Sequence, residues 1–173
     1  NKTFELSNQS NEFKKEPDNH ELRLNSPRVK QRFRVYQIIK KTSKETAKEV
    51  KQILKSANET LSDSAYEELA SYLFSDGNGG LIEFSNKSGL EKLLISLATK
   101  KQTQRALIAD KPAPAALSIP DDACHYDESE LRTLTVREMA RIQSFPDSFV
   151  FRSKVTTGGQ MRRFEVPQYT QIG

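Results

Sequence analysis

Three prolines within nine residues, Pro112, Pro114 and Pro120, divide this 173-residue chain more firmly than any other feature. Each proline fixes φ, removes a backbone donor and pushes the preceding residue out of the helical region, so neither a helix nor a central strand runs through this stretch. Lys111-Pro112-Ala113-Pro114 and Ile119-Pro120-Asp121-Asp122 are therefore expected to form an extended connection between two parts of the chain.

In the first part, apolar residues recur at spacings of three and four, which is helical. Ser26 and Pro27 stand as N-cap and first helical residue of a segment in which Val29, Phe33, Tyr36, Gln37 and Ile39-Lys40 follow an apolar stripe. Arg28, Lys30, Arg32 and Arg34 project from its other faces, giving a basic amphipathic helix. A second helix opens at Thr42 or Ser43, buries Ala47, Val50, Ile53, Leu54 and Ala57, and ends by Asn58. A third follows Ser62 and runs to Phe74, with Glu67 and Glu68 early, where the macrodipole favours acids. The cluster Asp76-Gly77-Asn78-Gly79-Gly80 stops it and lacks the Lys-Ser/Thr of a phosphate loop, so a flexible turn is expected. Short strands are expected at Leu81–Phe84 and at Arg105–Ile108, around a fourth helix capped by Ser88 and ending at Lys100-Lys101. Residues 1 to 22 are polar, offer only Phe4, Leu6 and Phe13 for burial, and are expected to form a loop or loosely attached arm.

Composition narrows the class. No run of about 18 apolar residues and no basic-then-apolar leader is present, so a soluble, cytoplasmic protein with no membrane partner is expected. The lone Cys124 excludes an intrachain disulfide, and with His20 and His125 it does not make up the ligand set of a structural zinc, so no metal is expected. The net charge of +4 conceals a strong asymmetry. Between Arg23 and Lys55 stand eleven basic residues against Glu45 and Glu49, whereas Glu59 to Glu91 carries seven acids against Lys87. The basic block is either a phosphate-binding surface or a solvated helix face.

Beyond Pro120, Thr133 or Thr135 can cap a helix, and Glu138, three residues after Thr135, has the spacing of a capping box, in which side chain and backbone satisfy each other's free donors. The helix it opens is expected over Val136–Gln143, burying Val136, Met139, Ala140 and Ile142, with Phe145-Pro146 as its stop and a half-buried strand at Phe149–Phe151. Within Arg132–Phe151, the string Leu134-Thr-Val-Arg-Glu-x-Ala-Arg-Ile-Gln-x-Phe-Pro-Asp-x-Phe-x-Phe151 resembles conserved motif IX of the DNA cytosine-5 methyltransferases of bacterial type. Ile119-Pro120-Asp121-Asp122-x-x-His125-Tyr126 is similar to the approach to that motif, and Pro167–Gly173 to the lead-in of motif X. The likeness is strong over residues 111 to 173 and weaker over Asn19-His20-Glu21 and Pro27–Gln37.

The resemblance implies an intact enzyme of restriction-modification type that moves a methyl group from S-adenosylmethionine to C5 of cytosine within a specific double-stranded DNA sequence. It places residues 23 to 110 in the target-recognition region and residues 111 to 173 in the motif IX segment and the start of motif X. The expected fold is α+β, mostly helical with a few short strands, plus a small helix-turn-strand unit. Residues expected to face DNA are Arg28, Lys30, Arg32, Arg34, Lys40 and Lys41 from the basic block, and Arg137 and Arg141 from the motif IX helix. Arg137 and Arg141 have an equally open alternative as structural pairs with nearby carboxylates. Thr156–Gln160 with Arg162-Arg163 is expected as a surface hairpin or a DNA-contacting turn. The family's catalytic Pro-Cys and Glu-Asn-Val motifs and its Gly-rich cofactor loop are not found, and Cys124 follows Ala123, so it is not assigned as the nucleophile. The resemblance thus implies a C-terminal fragment, inactive alone and a poor holder of cofactor, whose partner is an N-terminal catalytic domain. The alternative is a stand-alone DNA-binding or partner-docking module.

Overall fold

A computed structural model describes residues 16–101, 103–113, 123–156 and 164–172. Residues 1–15, Gln102, most of the expected connection (114–122), residues 157–163, on which most of the expected hairpin or DNA-contacting turn with Arg162-Arg163 falls, and Gly173 lie outside the described residues. The order is α1 (Pro27–Ile38), α2 (Lys44–Ser56), α3 (Asp63–Ala70), β1 (Phe74–Ser75), β2 (Leu81–Ile82), α4 (Lys87–Ser96), β3 (Arg105–Ala106), β4 (Ala123–Cys124), α5 (Val136–Ile142) and α6 (Gln168–Ile172). This is the mostly helical α+β mixture read from the sequence. No helix among the described residues is long and apolar enough to cross a membrane.

Helix α1 is the centre of the larger core rather than a surface amphipathic helix. Every residue from Arg32 to Ile39 is buried, and Phe33, Val35 and Ile38 pack with Val50 and Ile53 of α2, Leu69 of α3 and Leu90 and Leu94 of α4. The arginines of α1 therefore cannot all reach water. Arg32 donates from Nε to Leu97 O at 3.0 Å, at the C-cap of α4, where unsatisfied carbonyls attract a cation. Arg34 donates to Leu73 O at 2.8 Å and pairs with Glu128 at 2.8 Å.

Local pairing shortens other expected elements. Helix α3 ends at Ala70, because Phe74 leaves it to pair with Ile82 in an antiparallel ladder and to set its ring edge-on against Phe84 at 5.4 Å. The Gly-rich cluster is the turn of this hairpin. Gly77 sits there at φ 83°, so close to α1 that a Cβ would lie 2.4 Å from Pro27 O. Helix α4 is capped by Asn86, not Ser88, through its side chain and Gly89 N.

The second core gathers Val136, Met139 and Ala140 of α5, Tyr169 and Ile172 of α6, Leu134 and Phe151. Strand β4, absent from the sequence reading, ties it to the first. Successive strand residues point to opposite faces, and Ala123 enters the second core while Cys124 enters the first. β4 runs parallel to β3, with Arg105 opposite Ala123 and Ala106 opposite Cys124.

Phe149–Phe151 forms no strand, and Phe149 N instead donates to Pro146 O at 2.9 Å. The side-chain amide of Asn19 takes the place of a neighbouring strand, accepting from Phe151 N at 2.9 Å and donating to Phe151 O at 2.9 Å. Asn19 is itself buried and held at φ 66°, and His20 bonds Thr135 Oγ1 at 2.9 Å. Residues 18 to 20 are thus anchored rather than loose.

Candidate nucleic-acid interface

Helix α2 is strongly two-sided. Ser43 caps it by accepting from Thr46 N, Val50, Ile53 and Leu54 face inward, and Ala57 ends it in the left-handed region. Lys44, Lys48, Lys51 and Lys55 stand on the outward face, spaced as consecutive members of one helical row, and all four are exposed. At 1.5 Å per residue the row extends about 16 Å, close to five base-pair steps of a duplex strand at about 3.4 Å each. Among the described residues no carboxylate pairs with any of these four ammonium groups, in contrast to Lys41 with Glu128 and Lys87 with Asp63. The row borders a groove of about 460 Å³. Its buried floor is Tyr36, Leu54 and Gln104, and its far side is the segment carrying Thr99 and Lys101, tied to α2 by Thr99 N donating to Leu54 O at 2.8 Å.

Positive charge extends past the groove. Burial, then the neighbouring Lys51, Arg105 and Lys111, hold the Lys40 ammonium below its ordinary value.

The residues expected to face DNA divide clearly. Lys40 is exposed and belongs to this positive surface. Arg28 is exposed but donates to Ala98 O at 3.3 Å, Lys30 is half-buried, and Lys41 is engaged by Glu128. Arg32 and Arg34 are withdrawn from the expected set, because both are buried with their donors turned to chain carbonyls and Glu128. Arg137 is withdrawn as well. It is fully buried and donates to Asp18 O at 2.9 Å, Pro146 O at 3.2 Å and Phe149 O at 2.6 Å. Arg141 is exposed but forms a two-point pair with Asp147 at 2.9 and 2.8 Å. The four lysines of α2 were counted in the basic block but not named among the residues expected to face DNA, although their spacing of four, three and four was visible there.

The segment 132–151 is built to be rigid. Thr135 and Glu138 close the expected capping box, with Thr135 N donating to Glu138 Oε2 at 2.7 Å. Arg132 grips the same carboxylate at 2.8 and 2.9 Å. Burial pushes the Glu138 carboxyl upward, but Arg132 and the Thr135 N–H outweigh it and leave the group below its ordinary value. Beyond α5, Phe145, Phe149 and Phe151 pack with ring centroids 4.9 to 5.2 Å apart.

The family description "C-5 cytosine-specific DNA methylase" matches residues 3–173. The chain belongs to this family. Comparison with curated proteins and comparison with solved structures each gave no match. Methylases of this family act on DNA and use S-adenosylmethionine. In this chain the groove on α2 does not fit that cofactor, because lysines border it, no carboxylate among the described residues lines it, and the cofactor's sulfonium is itself a cation. No methyl-transfer step is assigned there. Cys124 is fully buried, and burial pushes its thiol up to about 12, which leaves almost no thiolate at neutral pH for attack on a base. His125 stacks on Tyr126 at 4.5 Å.

Proposed function

We propose that this chain supplies DNA target recognition to a cytosine-5 methylase, with the lysine face of α2 on the phosphate backbone and the 132–151 segment as the scaffold that seats the reading region against a catalytic part. The observation that carries this reading is the four-lysine row, exposed and without carboxylate partners, on a member of a DNA methylase family. Such a row supplies sequence-independent affinity and sets orientation, while base contacts add specificity. Arg28 and Lys40 flank this surface and are retained as backbone contacts; Lys30, Lys41 and Arg141 reach DNA only by changing their present surroundings or partners.

Catalysis is assigned to residues outside this chain, because its one cysteine is neither preceded by proline nor ionised at neutral pH. The family chemistry needs a thiolate nucleophile and an unstacked cytosine. Reconstitution is the test. The chain mixed with a polypeptide carrying Pro-Cys, Glu-Asn-Val and the cofactor loop should restore methyl transfer from S-adenosylmethionine to cytosine in one DNA sequence context. Methylation without sequence preference, or none despite complex formation, overturns the reading.

A further inference from the structure

The groove beside the lysine row is too small for a duplex but has the volume of a small-molecule site, about 460 Å³. Its chemistry is graded from floor to rim. Tyr36, Ala47 and Leu54 offer apolar surface at the bottom, Gln52 and Gln104 contribute amides, and lysines stand at the mouth. Gln104 has a charged neighbour on its carbonyl oxygen. Arg32, itself fixed on Leu97 O, points Nη1 at Gln104 Oε1 at 3.5 Å, and Gln104 lines the groove. A planar, weakly hydrated ring with acceptor atoms, joined to a phosphate, matches this sequence of surfaces.

We infer that the groove between α2 and the residues Thr99, Lys101 and Gln104 binds a single unstacked nucleotide, its base on the Tyr36–Leu54 floor within reach of the Gln104 amide and its phosphate at Lys51 or Lys55. The nucleotide comes either free or as an unpaired residue of a DNA strand, and the second source rests on the DNA reading above. Phosphate contacts on the α2 row and base capture in the groove would then act on neighbouring positions of the same strand.

The test uses the full 173-residue chain. Deoxyadenosine and deoxycytidine 5′-monophosphates are titrated against it, with inorganic phosphate alone as control, while the Gln52 and Gln104 side-chain amides are followed by NMR. In parallel, binding to a fully paired duplex is compared with binding to the same duplex carrying one unpaired nucleotide. A nucleotide is expected to move the Gln104 amide where phosphate does not, and the unpaired nucleotide to raise affinity about fivefold or more. Ala47→Phe fills the floor and keeps every lysine, so it should abolish both effects while paired-duplex binding persists. Gln104→Leu provides a second variant, and backbone amide spectra outside the groove check the fold of each.

A monophosphate response without a gain from the unpaired residue supports the site with free nucleotide as its ligand. Phosphate reproducing the Gln104 shift, or Ala47→Phe binding nucleotide as tightly as the parent, overturns the inference. Salt-sensitive duplex binding with no nucleotide response overturns this inference alone. Nucleotide binding with no duplex affinity overturns the DNA reading and leaves the groove.

Discussion

Replacing Lys44, Lys48, Lys51 and Lys55 together with alanine removes the exposed cationic row of α2 and leaves its buried face, its Ser43 cap and its left-handed terminus untouched. Alanine is the best helix former, so the folded state should lose at most about 0.5 kcal/mol, as for other exposed substitutions away from packed features. DNA binding should change in a way that counts the charges. Each neutralised phosphate contributes about 0.9 to the slope of log affinity against log salt, so four lost contacts lower the slope by about 3.6. Between 50 and 200 mM salt the parent should then lose roughly 150-fold more affinity than the variant, because a fourfold change in salt is raised to that power. The assay is fluorescence anisotropy on a labelled duplex across a salt series, with circular dichroism as the check on folding. A folded variant with the parent's slope would refute the assignment of this face to DNA. A slope lower by about one would reduce the contact to a single lysine.

Three further outcomes concern the fold. Arg137→Ala leaves the carbonyls of Asp18, Pro146 and Phe149 without their donor and should cost about 3 kcal/mol in urea unfolding, and Arg137→Lys should rescue little, since one ammonium cannot reproduce a three-way guanidinium fork. Gly77→Ala sets a Cβ 2.4 Å from Pro27 O at φ 83° and should destabilise by about 2 kcal/mol, whereas Gly79→Ala, with open space around it, should cost less despite its positive φ. The Glu138 carboxyl lies below its ordinary value of 4.5 in the folded state, so its stabilising contribution is fully present above that value and is lost as pH falls through the folded one. The stability difference between parent and Glu138→Gln should therefore be flat from neutral pH down to about 5 and shrink toward pH 3, and a difference that grows on acidification would reverse the sign of the argument.

Features that rest on neighbouring residues were legible in the sequence. The Thr135–Glu138 box, the second helix from Ser43 and the turn at Asp76–Gly80 each depend on spacings of a few residues, and each formed. What the sequence hid was set by distant partners. Periodicity marks Phe33 and Tyr36 as apolar but cannot show that α1 is packed on every side, which is why Arg32 and Arg34 were expected at the surface. The same holds for Phe149–Phe151, whose alternation fits a strand but whose backbone is completed by Asn19 from 132 positions away. Arg137 resembled a surface cation because one charge in a short helix carries no sign of the three carbonyls that fold back over it. The α2 row was legible and overlooked, since local charge density drew attention to the preceding helix, whereas spacing decides which lysines share a face.

Selection from a randomised duplex pool at physiological salt asks whether this chain reads DNA sequence. Successive rounds should enrich one short sequence containing cytosine, and the enrichment should survive when the α2 lysines are replaced and the salt is lowered to restore binding. A bound pool with the composition of the input would contradict it and leave the lysine face as a phosphate-binding surface without readout.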